Sequence, residues 1–299
     1  MELLRKKYSP DIVDTLLNKT YLINKLGSVE INSIRCNDLL KIYNSDKVIQ
    51  TKRSFDPYCK QNAGIYYTSP FNEEFNARNQ NELYDIFVFL YIKSIFKANF
   101  NFLYNFHITE FVNKPNSHLT KDIKFNEFNE DIGIYLELLE YYTTVLNKKV
   151  LVVSSMKDSI EKQLPQMKDI FPKYNINVKN IIVYKSFNTI KGNESHRNWY
   201  ETYVIMKNDI SKIEFDYCFL GCGAYGPPLG YFIYTSLNKS VFSIGASIQI
   251  MFGVIGNRWL SKIHIGHYFM RKYYNDHWIR PLKHEVPINA DKVESSCYW

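Results

Sequence analysis

The sequence predicts an α/β fold of Rossmann-like type, a mostly parallel sheet with helices on both faces. Short apolar runs alternate with longer amphipathic ones, which implies crossover units. From 217 to 257 the runs are almost uncharged and fit strands covered on both faces. One of them leads directly into a glycine-rich turn and then a helix, the local signature of a phosphate-facing loop.

Strands are predicted over 21–26, 102–106, 149–153, 180–184, 215–220 and 240–244, each a short apolar stretch rich in Ile, Val, Leu or Phe. Helices are predicted over 11–18, 31–43, 73–96, 134–146, 159–171, 199–213 and 229–237, where the apolar residues recur at helical spacing. Residues 113–131 are polar, Asn-rich and without a clear period, and read as an exposed connection. That connection divides the chain into an N-terminal α/β half, 1–146, and a Rossmann-like half, 147–299. No internal repeat is present.

The 299 residues suffice for one large domain or two small ones, and 45% apolar content excludes a disordered chain. A net charge of +7 suits an anionic small molecule or a lipid surface; it is only weak evidence for nucleic acid, which is not expected as a partner. Five cysteines exclude a disulfide scaffold and fit a reducing compartment, the cytoplasm. The 24 tyrosines and 20 phenylalanines accompany abundant Asn, Lys and Ile, all types with AT-rich codons, so coding bias accounts for them before ligand binding does. Between 217 and 257 the one charged residue is Lys239, yet glycines and prolines interrupt both apolar runs. No transmembrane segment is expected there, because Pro breaks the helical ladder a span requires.

Glycine is scarce and clustered. Average usage of ~7% would give about 21; the chain has 12, and eight of them fall within 221–266. Gly221-Cys222-Gly223-Ala224-Tyr225-Gly226 is a G-x-G-x-x-G between a strand and a helix opened by Pro227 and Pro228. Small residues there let backbone amides approach a phosphate. A turn serving only close strand–helix packing has the same pattern. The dinucleotide version expects an acid about 20 residues on, for the ribose. No Asp or Glu occurs within 217–275, which disfavours NAD.

Other groups are weaker signals. Cys218 and Cys222 read as buried thiols rather than zinc ligands, and His264 with His267 lacks a third ligand. Arg258-Trp259 and Trp278-Ile279-Arg280-Pro281 set cations beside aromatics, suited to a diphosphate or simply to stacking. Gly27-Ser28-Val29-Glu30 puts a carboxylate just after a strand, where α/β enzymes place chemistry, although a helix N-terminal charge is the plainer explanation. The aromatic ending Cys297-Tyr298-Trp299 either docks on the body or binds something.

Taken together, Leu220 to Gly226, Ile244-Gly245-Ala246-Ser247-Ile248-Gln249, Met251-Phe252-Gly253 with Gly256, Arg258 and Trp259, then Trp278, Arg280, Pro281, Glu294, Cys297, Tyr298 and Trp299 resemble the C-terminal block of a family found in bacterial polysaccharide clusters and in large DNA viruses. Asn62-Ala63-Gly64 and Leu26 to Glu30 fit it upstream. That family in turn is similar to glycosyltransferases of the GT-D type. The resemblance implies a nucleotide-sugar donor, a glycan acceptor, a cytoplasmic location (the host's, for a viral member), and an early Asp-x-Glu motif for the donor diphosphate and its Mg²⁺ or Mn²⁺. Here Glu30 is kept and Ser28 stands at the Asp, which weakens the case for a metal. Ala246 replaces a second Gly, and Ser295 and Ser296 replace a terminal Gly pair. The implied catalytic residue is Glu30. The implied donor-binding residues are Gly27, Ser28, Gly221, Gly223, Ala224, Tyr225, Gly226, Gly245, Arg258 and Arg280. A family member that keeps the fold as a non-catalytic binding module is the alternative.

Overall fold

The computed structural model describes residues 1–31, 34, 63–66, 77–103, 124–127, 130–264, 268–293 and 296–299. Among the described residues, seven strands form one sheet: β1 (Leu22–Lys25), β2 (Phe100–Leu103), β3 (Phe125–Glu127), β4 (Val150–Ser154), β5 (Ile181–Lys185), β6 (Tyr217–Gly221) and β7 (Ser240–Ser243). Their order is β3-β2-β1-β7-β6-β4-β5, and every pairing between them is parallel. The stretches before and after residue 147 thus supply strands to the same sheet, joined where β1 pairs with β7.

The helices follow from capping and burial. On one face lie α1 (Glu2–Lys7), α2 (Pro10–Asn18), α4 (Ile132–Glu140), α5 (Lys157–Gln163) and α6 (Met167–Ile170), packed on Ile23, Phe102, Val152, Phe219 and Phe242. On the other lie α3 (Ala77–Lys97), α7 (Trp199–Ile210) and α8 (Gly226–Ser236), packed on Leu22, Leu103, Val153, Leu220 and Val241. Strand residues alternate between the two cores, as a period of two requires. Asp131 caps α4 through the Gly133 amide (3.0 Å), and Asn198 caps α7 through the Glu201 amide (2.9 Å). Pro227 and Pro228 sit in the first turn of α8, where a missing amide costs nothing.

Among the described residues, connections that step toward β3 carry their helices on the α3/α7/α8 face, and those that step toward β5 on the opposite face. A single crossover handedness demands this. The chain therefore leaves β4 and its neighbour β6 on opposite faces, which opens a crevice beyond their C-terminal ends.

Tyr and Phe fill the core. The Tyr142 and Tyr217 rings stack at 3.8 Å, and the Tyr142 and Tyr21 hydroxyls share a hydrogen bond of 2.9 Å. Phe242 stacks between Phe102 and Phe219.

The structure corrects several sequence expectations. Phe125–Glu127 is a strand inside the stretch read as a connection; it is three residues long and at the sheet edge, too short for a period to register. The helix expected over 159–171 is broken by a 3₁₀ turn at Leu164–Gln166, where Pro165 cannot continue the α-helical ladder. The helix expected over 134–146 ends in a π-turn at Tyr141–Val145. Four short helices were not expected: α1, α9 (Ser247–Ile250), α10 (Asn257–His264) and α11 (Tyr268–Arg271). Residues 104–106 of the second expected strand, most of the helix over 31–43, 73–76 of the helix over 73–96, 113–123 and 128–129 of the connection, Asn62, Gly266, His267, Glu294 and Ser295 lie outside the described residues.

Candidate functional site

A cleft of roughly 530 Å³ lies across the C-terminal ends of β1, β7, β6, β4 and β5. Each strand contributes its last residue or the loop beyond it. β1 supplies Lys25 and the loop Gly27-Ser28-Val29-Glu30; β4 supplies Ser154, Ser155 and Met156; residues 186–190 follow β5. Gly221 to Tyr225 come from β6, and Ser243, Gly245 and Ala246 from β7. Ala63, Tyr91, Ile248, Gln249, Arg258, Val293, Tyr298 and Trp299 complete the wall.

The β6 turn is tight for a definable reason. A Cβ on Gly221 would collide with the Ile248 side chain and lie 2.8 Å from the Gly245 carbonyl oxygen, so the two loops approach backbone to backbone. Gly223 has φ +56° with open space around it, so its need is conformational alone. Tyr225 is buried and its hydroxyl pairs with Thr189 Oγ1 (3.1 Å), which also donates to the Gly64 carbonyl (2.8 Å). The turn is thereby tied to the loop after β5 and to the Ala63-Gly64 segment.

Across the cleft, residues 28–31 are helical and the Ile31 amide bonds to the Gly27 carbonyl (3.0 Å). The Glu30 carboxylate folds back over Gly27, onto the space a Cβ there would need. Burial raises the Glu30 pKa above the usual carboxylate value, opposed by a bond to its own backbone amide and by the Lys25 charge. Lys25, the last residue of β1, lies against Gly245: a Cβ there would be 3.2 Å from Lys25 Nζ and 3.3 Å from its Cδ. Burial first, then the Arg258 charge, pull Lys25 down to about 8, while Glu130 and Glu30 act against that.

Arg258 is set by the chain end. Its amide bonds to the Cys297 carbonyl (2.8 Å), and its guanidinium stacks 4.6 Å from the Tyr298 ring centroid and reaches Cys297 Sγ at 3.5 Å. The ending Cys297-Tyr298-Trp299 therefore both docks on the body and lines the cleft. Two buried donors in the wall, Ser186 Oγ and Trp299 Nε1, find no hydrogen-bond partner among the described residues. A buried donor without an acceptor costs free energy, and an indole N–H can only donate.

Gly27, Ser28, Glu30, Gly221, Gly223, Ala224, Tyr225, Gly245 and Arg258 thus lie around one cleft. Gly226 and Arg280 do not line it. Gly226 begins α8 against Ser243 Oγ, and Arg280 is exposed, donating to Asn257 Oδ1 (2.7 Å). Sequence reasoning missed Lys25, which looked like an ordinary charge ending a strand, and Ser186, which has no motif around it. Cys218 and Cys222 are buried thiols, with Cys222 pushed up to about 12 by burial.

The cleft does not fit the divalent cation that the resemblance implies. Its described lining offers one carboxylate, Glu30, with uncharged Ser28 beside it and two cations facing the same space. Elsewhere, Asp158, His284 and Glu285 bring groups able to ligate a metal within 4.8 Å of one another. There His284 Nε2 pairs with Asp158 Oδ2 at 2.7 Å. Glu285 accepts the Asp158 amide (2.8 Å), the Ser159 amide (3.1 Å) and the Ser159 hydroxyl, so it also holds the first turn of α5.

An all-parallel sheet with helices on both faces and a cleft at the strand ends makes this a Rossmann-like α/β protein. Fold and triad together are consistent with the nucleotide-binding enzymes in general. Comparison with known proteins adds no family: no family model, no curated protein and no solved structure matches the chain. No helix, among the described residues, is long and apolar enough to cross a membrane.

Proposed function

We propose that the protein is a glycosyltransferase of GT-D-like type, moving a sugar from a nucleotide-diphosphate donor to a glycan acceptor. One observation carries this reading: the Glu30 carboxylate and the Gly221–Gly223 backbone, 191 residues apart in sequence between positions 30 and 221, line the same cleft. In this reading the diphosphate sits over the β6 turn, whose small residues admit it, with Arg258 offsetting the charge that develops as it leaves. Glu30, its pKa raised by burial, takes the proton of the attacking acceptor hydroxyl.

Calorimetric titration with UDP- and GDP-sugars, followed by a turnover assay, tests the proposal. Binding tighter than millimolar is expected, with Glu30→Gln retaining that binding and losing turnover. No binding of any nucleotide-sugar overturns it. The alternative, a binding module that keeps the fold without the chemistry, draws on Ser28, where a second carboxylate would stand; binding with no turnover by the unaltered protein is its signature.

A further inference from the structure

Two cations, Lys25 and Arg258, and one carboxylate, Glu30, line the cleft. Lys25 and Arg258 come from β1 and α10, elements far apart in sequence; both line the cleft, and the Arg258 charge acts on Lys25. Lys25 reaches that space because position 245 has no side chain; any Cβ there would press on its stem and ammonium. Burial and the neighbouring arginine disfavour the lysine's charge more than Glu130 and Glu30 favour it, and an anion in the cleft would favour it further. A divalent cation in the same place meets the opposite situation. It would face two like charges with one carboxylate, and that carboxylate is folded back over Gly27.

Resting on the sugar-transfer reading above, we propose that Lys25 and Arg258 together grip the donor's diphosphate and take the place of the divalent cation, so that donor binding needs no metal. Each cation would give a charge-assisted hydrogen bond to a phosphate oxygen, and Arg258 is oriented for this by its stacking on Tyr298. The nucleoside end is not specified by these two groups, so UDP and GDP serve equally as probes.

The test is calorimetric titration of the full chain with UDP and with GDP, once in EDTA and once in excess Mn²⁺. The expected result is the same affinity in both within about threefold, and a loss of about tenfold or more for Lys25→Met and for Arg258→Met. Methionine keeps the Lys25 stem against Gly245, and thermal melts check that both variants fold. Binding by the unaltered protein only when Mn²⁺ is present overturns the metal-free grip and leaves the sugar-transfer reading standing. Unchanged affinity in both folded variants also overturns the grip. Absence of binding under either condition overturns the grip and the reading it rests on. The EDTA comparison uses the unaltered protein, so a variant that fails to fold does not remove the test.

Discussion

Lys25 and Glu30 are five positions apart and meet the same burial with opposite consequences. Burial disfavours the charged form of each, so it lowers the lysine and raises the carboxyl. In the free protein Lys25 loses its proton as pH rises through about 8, while Arg258 stays charged. The groups acting on Lys25 are Arg258 and Lys262, which lower it, and Glu130 and Glu30, which raise it. Diphosphate affinity should therefore fall as pH rises above about 8, and Lys25→Arg should flatten the profile. UDP titrations across that range measure it, and a flat profile for the unaltered protein would remove Lys25 from the anion's surroundings.

At the scale of the element, the β6 turn separates two uses of glycine. Gly223→Ala meets open space and should cost only the left-handed backbone penalty, about 1–2 kcal/mol. Gly221→Ala drives a methyl into Ile248 and the Gly245 carbonyl, so the loops after β6 and β7 must part. Overpacking against backbone should cost more, about 3 kcal/mol, and should distort the cleft floor as well. Denaturant melts of the two variants give the ordering; equal losses would show that the turn yields more readily than its contacts indicate. β1 and β2 are held in a different way. Asn24 Nδ2 donates to Asn101 Oδ1 (3.1 Å) and Ser94 Oγ to Asn24 Oδ1 (3.2 Å), a buried polar link between both strands and α3. It fixes the strand that carries Lys25, since these groups are satisfied only in this register.

For the whole molecule, the tyrosine-rich interior sets an alkaline limit. Burial raises Tyr21, Tyr91, Tyr142 and Tyr225 above the ordinary value of 10.0. Above that value the unfolded chain releases phenolic protons that the folded chain keeps. The folded state then binds more protons, so stability falls as pH rises. The protein should unfold cooperatively at a pH above about 10, with the tyrosinate absorbance of these residues appearing together with loss of helix signal. Exposed tyrosines such as Tyr200 and Tyr274 ionise earlier; ionisation of the full complement of 24 in a still-folded protein would contradict the packing described.

Much of this architecture was legible in local pattern. The uncharged runs at β4, β6 and β7 are each covered on both faces, so burial left its mark on every residue, and the glycine turn announced itself by clustering in a glycine-poor chain. β3 was not legible, because three half-exposed residues at an edge carry no period. Lys25 and Ser186 were not legible either, since what distinguishes them is the company they keep across strands. The sequence by itself determined the α/β class, the sites of most strands and helices, and the two loops singled out as candidates. Only the tertiary structure decided that these loops share a cleft, that Arg258 joins them while Arg280 stays outside, and that Lys25 faces the same space. Strand order sets which C-terminal ends are neighbours, and that order depends on long-range pairing and crossover direction, which no local window of residues contains.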